Sequence, residues 1–233
     1  MAGTLYGVGV GPGDPDLMTL KAVATLARVP VIAYPQLGDT PSFARSIAAK
    51  HLSQNQREIV VRVPLGDEAK TREAYDKAAS DMASELDGGH DVAALCEGDP
   101  FLYGSFIYLW DRLRDRFACE IIPGVSSLMA APARGQAVLA TGQSALAVVP
   151  GTLPDEALEP HLTHADSIAI LKVGRHLPRL TQLIDRLGLM DHAHYVERAT
   201  LDSERVMPLR DLADDTAPYF SIILIARHRE AGR

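Results

Sequence analysis

Along the chain, short solid apolar runs alternate with stretches in which apolar residues recur at helical spacing. LYGVGV (5–10) is such a run and ends in glycines, as a strand buried on both faces of a parallel sheet does. Beyond it, Asp14 is placed as an N-cap and Pro15 as a first helical residue. Leu17, Leu20, Ala24 and Ala27 then share one helical face. VPVIAY (29–34) predicts the second strand, residues 42–52 a helix, and REIVVRV (57–63) the third strand. Residues 68–87 predict a long amphipathic helix with Tyr75, Ala78, Ala79, Met82 and Leu86 inward, stopped by Gly88 and Gly89. DVAALC (91–96) is a strand, followed by the turn EGDP and a helix through Trp110. ACEIIP (118–123) is the fifth strand, followed by PGVSS and another helix.

The first half thus reads as five strands alternating with helices, a mostly parallel sheet covered on both faces. From about Gly135 the texture changes. ALAVVP (145–150), SIAILKV (167–173), HYVERA (194–199) and YFSIILIAR (219–227) are strands, with one clear helix over 177–187 and longer loops. The expectation is an α/β protein of two domains, 1–120 with a mostly parallel sheet and 121–233 with a mixed one. Turn chemistry does not fix the junction more closely than 115–140.

The net charge of −7, with Lys and Arg scattered rather than striped, argues against a nucleic-acid partner. No apolar run approaches the roughly 18 residues of a membrane span, and MAGTLYGVGV lacks the features of a signal peptide. Cys96 and Cys119 lie in apolar segments and read as buried, reduced thiols of a cytoplasmic protein. No Cys/His grouping has zinc spacing; His161, His164, His192 and His194 sit in polar, loop-like stretches, and no protein-bound metal is expected.

Candidate chemistry begins at GVGVGPGDPD (7–16). The dinucleotide fingerprint fails in both registers, because the third glycine position is Pro12 in one and Asp14 in the other. A phosphate-loop lysine is also missing. A helix N-terminus attracts anions, but Asp14 and Asp16 in the first turn offset it. EGDP (97–100) closes the fourth strand with two carboxylates, and PGVSS (123–127) closes the fifth with small neutral residues. Ligands of open α/β sheets bind at the carboxyl ends of strands. This rim suits a neutral or cationic ligand read by main chain, such as a sulfonium nucleotide; simple helix capping accounts for any one turn taken alone.

The ordered set GVGVGPGDPDLMTLKA (7–22), EGDPFLYGS (97–105), PGVSS (123–127), LKVGR (171–175), YVERAT (195–200) and PYFSIIL (218–224) resembles the tetrapyrrole (corrin/porphyrin) methylases of cobalamin and sirohaem synthesis. The resemblance spans essentially the whole chain. It implies two α/β domains with the active site in the cleft between them, S-adenosylmethionine as methyl donor, and a homodimer. By motif it assigns Pro12, Gly98, Asp99, Pro100, Tyr103, Ser126, Ser127, Val173, Ala199 and Ser221 to the cofactor. EGDPFLYGSFIYL, LKVGR and YVERAT are most similar to the branch that methylates precorrin-2 at its C(20) meso carbon to give precorrin-3A. Relatives that methylate uroporphyrinogen carry an aspartate, proposed as a base, after the tyrosine closing the second strand; here that place is Pro35.

Methyl transfer from a sulfonium to carbon chiefly requires donor and acceptor to be held in line. A proton must later leave the methylated carbon; Glu97, Asp99 and Glu197 are candidate acceptors, with structural hydrogen bonding as the competing role of each. Glu97 occupies a place where many family members have glycine. Precorrin-2 carries eight carboxylates, and Lys172, Arg175, Arg198 and Arg205 lie near strand ends where they could pair with them. Phe101, Phe106, Tyr108 and Trp110 read as helix core, with Tyr103 alone raised by the motif. The alternatives are another corrin intermediate, the cobalt-containing form of precorrin-2, a modified protein side chain as acceptor, and, from a different class, a non-catalytic nucleotide-binding or regulatory module.

Overall fold

The computed structural model describes residues 1–64 and 66–227. The chain forms two compact units, Met1–Ser126 and Ser127–Arg233. In the first, strands β1 (Leu5–Gly9), β2 (Val31–Leu37), β3 (Arg57–Val63), β4 (Val92–Cys96) and β5 (Cys119–Ile122) make one sheet in the order β3-β2-β4-β1-β5. Every pairing in it is parallel. Alternate strand residues feed two cores. Leu5, Val31, Ala33 and Val92 pack with α3 (Glu68–Asp87) and α4 (Phe106–Leu113). Tyr6, Val8, Ile32 and Ala93 pack with α1 (Leu20–Arg28) and α2 (Phe43–Ala48). Burial on both faces is the reason these strands read as unbroken apolar runs.

The start of the first helix departs from the sequence reading. Asp14 accepts from the backbone N–H of Asp16 and caps a single 3-10 turn, Pro15–Leu17. Met18 is then extended, and α1 begins afresh at Leu20 with Thr19 as its cap, 3.2 Å from the N–H of Ala22. This break rotates the helix. Ala22, Thr25 and Leu26 face the core, whereas Ala24 and Ala27 are exposed and Leu20 is 89% exposed. The predicted helix over 42–52 is α2 followed by a 3-10 turn, Ala49–His51. Strand β2 also runs past Tyr34 to Leu37. Pro35 is tolerated there because β4 pairs with β2 only as far as Ala33, so the missing N–H opens no gap in the ladder. Cys119, on edge strand β5, is only partly buried, unlike Cys96.

In the second unit, β6 (Leu146–Pro150), β7 (Ser167–Leu171), β8 (Ala193–Glu197), β9 (Arg205–Pro208) and β10 (Ser221–Ala226) form a mixed sheet in the order β6-β7-β10-β8-β9. Only β6 and β7 are parallel. Helix α5 (Ser127–Gly135) lies against β8, β9 and β10. Helices α6 (Asp155–His164) and α7 (Leu177–Arg186) fill the core with Leu158, Leu162, Leu180, Leu183 and Ile184. Two elements lacked a strong sequence signal. Helix α6 contributes only the buried pair Leu158 and Leu162 and contains Pro160. Edge strand β9 is four residues long with no fully buried position. His161 and His164 therefore stand on a helix rather than in a loop, and His194 lies half-buried on β8.

Candidate functional site

In the first unit, β1 and β4 are neighbours whose chains leave toward opposite faces of the sheet, β1 into α1 and β4 into α4. Such a switch point is where open α/β sheets usually leave a ligand crevice. Here the two loops are joined. Gly98 donates its N–H to the Gly11 carbonyl at 2.8 Å, and the pair forms an antiparallel bridge. The loop after β5 packs onto the same place. A Cβ on Gly124 would lie 2.1 Å from the Gly98 carbonyl oxygen, and one on Gly9 would lie 2.5 Å from the Gly124 nitrogen. Gly9 and Gly11 of GVGVGPGD thus bring main chain against main chain, while Gly7 makes room for the Phe106 ring. That use of glycine accounts for the failure of both phosphate-binding patterns.

Asp99 ties the same loops from inside. One carboxylate oxygen accepts from the Phe101 N–H at 2.9 Å and the other from the Gly124 N–H at 3.1 Å. Both oxygens are committed to backbone donors, which is the geometry of a brace rather than of a base. Glu97 accepts from the Ala44 N–H at 3.2 Å and so helps cap α2, together with Ser42 on Arg45. Burial nevertheless raises its pKa above the ordinary carboxylate value. Cys96 is inert by the same cause, its thiol pushed up to about 12 by burial. Pro100 is buried, Pro12 and Ser126 are half-buried, and Tyr103 is 44% exposed with a left-handed backbone at φ 54°. Phe106 is core, closing over Gly7, whereas Phe101 and Tyr108 are about half exposed.

No Lys or Arg occurs in residues 9–15, 97–105 or 123–127, so these three loop segments supply no cation of their own to a phosphate. The acidity there is smaller than the sequence suggests, because Lys50 pairs with Asp16 and lowers its pKa. What remains is a rigid, neutral-to-acidic edge that presents backbone groups.

The second unit gathers a different set at one edge of its sheet. Lys172 and Val173 follow β7, Ser221 opens β10, and Glu197 ends β8 with Arg198 and Ala199 following it. The register places Ser221 opposite Glu197, and Ile223 opposite Ile170. Val173, Ala199 and Ser221 are buried, whereas Lys172, Arg175 and Arg198 are exposed. Arg175 stands one step farther out, on a 3-10 turn over Gly174–His176. Glu197 is 4% exposed and accepts from the Tyr195 hydroxyl at 2.6 Å. Its other oxygen is 3.6 Å from both Arg198 and Arg205. Burial first, and then Glu197, raises the pKa of Tyr195, so this phenol stays a hydrogen-bond donor. Arg205 is in addition bonded to Asp214 at 2.7 Å, a structural tether that reduces its value as a substrate ligand. The sequence reading missed this tether, and it missed Glu204, which holds the loop after β8 through the Thr200 N–H at 2.6 Å and Arg134 at 2.8 Å. Residues 70 positions apart leave no local signal of such a contact.

Among the described residues no group of three or more His, Cys, Asp or Glu is arranged to hold a metal ion. No described helix is long and apolar enough to cross a membrane.

Comparison with known proteins follows the same lines. The sequence signature of the Tetrapyrrole (Corrin/Porphyrin) Methylases matches residues 4–213. The cobalamin biosynthesis protein CobIJ of Mycobacterium tuberculosis is 38% identical over 96% of this chain, which spans only 46% of that protein's length. The precorrin-2 C(20)-methyltransferase of a Sinorhizobium species is 36% identical over 96% of this chain and 95% of its own. The cobalt-precorrin-2 C(20)-methyltransferase of Salmonella typhimurium is 31% identical over 99% of both chains. Among solved structures, the uroporphyrin-III C-methyl transferase of Thermus thermophilus, in complex with S-adenyl homocysteine, superposes with a TM-score of 0.70 at 26% identity, covering 96% of this chain and 92% of its own. With a signature over residues 4–213 and two relatives matched over nearly their full length, the chain belongs to the tetrapyrrole (corrin/porphyrin) methylase family.

Proposed function

We propose that this chain transfers a methyl group from S-adenosylmethionine to the C(20) meso carbon of precorrin-2, giving precorrin-3A, and that it works as a cytoplasmic homodimer. The observation that carries the reading is the glycine-locked rim of the first unit, whose loops after β1, β4 and β5 bring no Lys or Arg of their own and display main-chain groups. A sulfonium nucleoside, which carries no phosphate, fits that donor set, and a nucleoside triphosphate does not. The names of the full-length relatives support the acceptor and the position methylated.

On this reading Pro12, Gly98, Asp99, Pro100, Tyr103, Ser126, Ser127, Val173, Ala199 and Ser221 are the cofactor-binding residues. When bound, the sulfonium supplies an activated methyl group with a good leaving group. The protein's share is positioning: the bridged loops and the Asp99 brace fix the rim before any ligand arrives, so little ordering remains at the moment of transfer. Lys172, Arg175, Arg198 and Arg205 are the cations proposed to meet acidic substituents of the acceptor, Arg205 the weakest of them because Asp214 holds it. Glu97 and Asp99 accept hydrogen bonds from loop backbone and Glu197 from Tyr195 on its own strand, which supports a structural role for these three beside that of meso-proton acceptor.

Incubation of the purified chain with S-adenosylmethionine and precorrin-2, prepared with and without cobalt, tests the reading. A gain of one methyl by mass, with the absorbance change of a C(20)-methylated product, is the expected outcome with the metal-free substrate. Faster turnover of the cobalt form would move the chain to the other branch of the pathway. Transfer to neither would reject the substrate.

A further inference from the structure

Among the described residues, five that are not glycine hold a left-handed backbone: Tyr103, Gln136, Lys172, Arg198 and Thr200. In that region a Cβ crowds the following carbonyl, a cost that glycine escapes. Such strain persists where the side chain is needed, and it collects at functional sites. Lys172 (φ 56°) and Arg198 (φ 49°) combine it with a positive charge and an exposed side chain, so apolar packing does not account for them. Among the described residues most other left-handed positions are given to glycine, as at Gly98, Gly142 and Gly188.

The two residues also share an edge. Lys172 directly follows β7 and Arg198 directly follows β8, with β10 between those strands. At strand spacing, their backbones leave the sheet roughly 10 Å apart, within converging reach of two long side chains. The nearest carboxylate of Arg198 is Glu197 at 3.6 Å, longer than a hydrogen bond, so its planar donors remain available for a ligand. Arg205 differs on both counts: it has no left-handed backbone and is hydrogen-bonded to Asp214.

We propose that Lys172 and Arg198 form a two-cation grip for a pair of carboxylates on the tetrapyrrole acceptor. The inference rests on the methyl-transfer reading and deepens it by choosing, from the cations of the second unit, the two that read the substrate. Arginine's fork suits one carboxylate in bidentate fashion, and the lysine ammonium supplies a point charge for the other.

The test uses Lys172→Ala, Lys172→Gly, Arg198→Ala and Arg198→Gly in the full chain. Each is expected to raise KM for precorrin-2 about tenfold or more, with kcat within about twofold and the calorimetric affinity for S-adenosylmethionine unchanged. At both positions the glycine variant should melt above the alanine variant, because glycine removes the strain along with the charge. A KM within about twofold of the unmodified chain, or a cofactor affinity that falls in step with KM, would overturn the grip. A second measurement separates this from failure of the function itself: fluorescence titration with a porphyrin bearing eight carboxylates. If the unmodified chain transfers no methyl group yet binds that porphyrin about tenfold more tightly than the variants, the proposed substrate fails and the grip stands. Equal porphyrin affinity in all five proteins would overturn the grip whatever the turnover.

Discussion

Glu97 has a backbone donor and a desolvated setting, and the two act on its proton in opposite directions. Burial is the larger effect, so its folded pKa lies above the ordinary 4.5. A group whose pKa is raised on folding gives its full stabilising contribution below the unfolded pKa, and that contribution is lost as pH rises through the folded pKa. Chemical denaturation in steps upward from pH 4.5 should therefore show a falling component that Glu97→Gln removes, since the amide oxygen can still accept from Ala44. A pH profile identical in the two proteins would mean that the carboxyl is ionised at no cost. The sequence placed Glu97 in the right turn but could not say what it bonds, because Ala44 lies 53 residues away. Asp99 was also found by its motif. Its commitment to two separate backbone donors depends on a loop that folds in from after β5.

At the level of elements, the strands were the most readable part, since a short, solid apolar run between turn residues fits a strand covered on both faces. Helix α3 was equally plain, with Tyr75, Ala78, Ala79, Met82 and Leu86 inward as its spacing indicated. Helix α1 was misread because its pattern was counted from Leu17, across the extended Met18, and a break resets the phase of a helix. Helix α6 was missed because two buried leucines and an internal proline fall below what periodicity can detect. The turns after β1, β4 and β5 allow a sharper comparison between glycines. Gly124→Ala should cost about 3 kcal/mol, because its Cβ would meet fixed backbone at 2.1 Å. Gly142→Ala, at φ 51° with open space around it, should cost about 1 kcal/mol. Denaturant midpoints of the two variants decide this; equal losses would mean that the three loops can separate without penalty.

For the molecule as a whole, the proposed cofactor should act as a folding ligand. At a free concentration about 100 times Kd it should stabilise the native state by roughly 2.7 kcal/mol, raising Tm by several degrees. Adenosine triphosphate at the same concentration should leave Tm unchanged, since the loops of the first rim bring no Lys or Arg of their own to receive its phosphates. A shift with the triphosphate alone would point to the nucleotide-binding module instead. The bridged loops of that rim bear on how such a protein can change. A surface made of carbonyls and amides keeps its chemistry whatever the neighbouring codons do, and its glycines tolerate almost no replacement. Drift toward a new acceptor would then leave this edge as it is and be written in the cations after β7 and β8, where one codon alters charge without disturbing a contact between backbones.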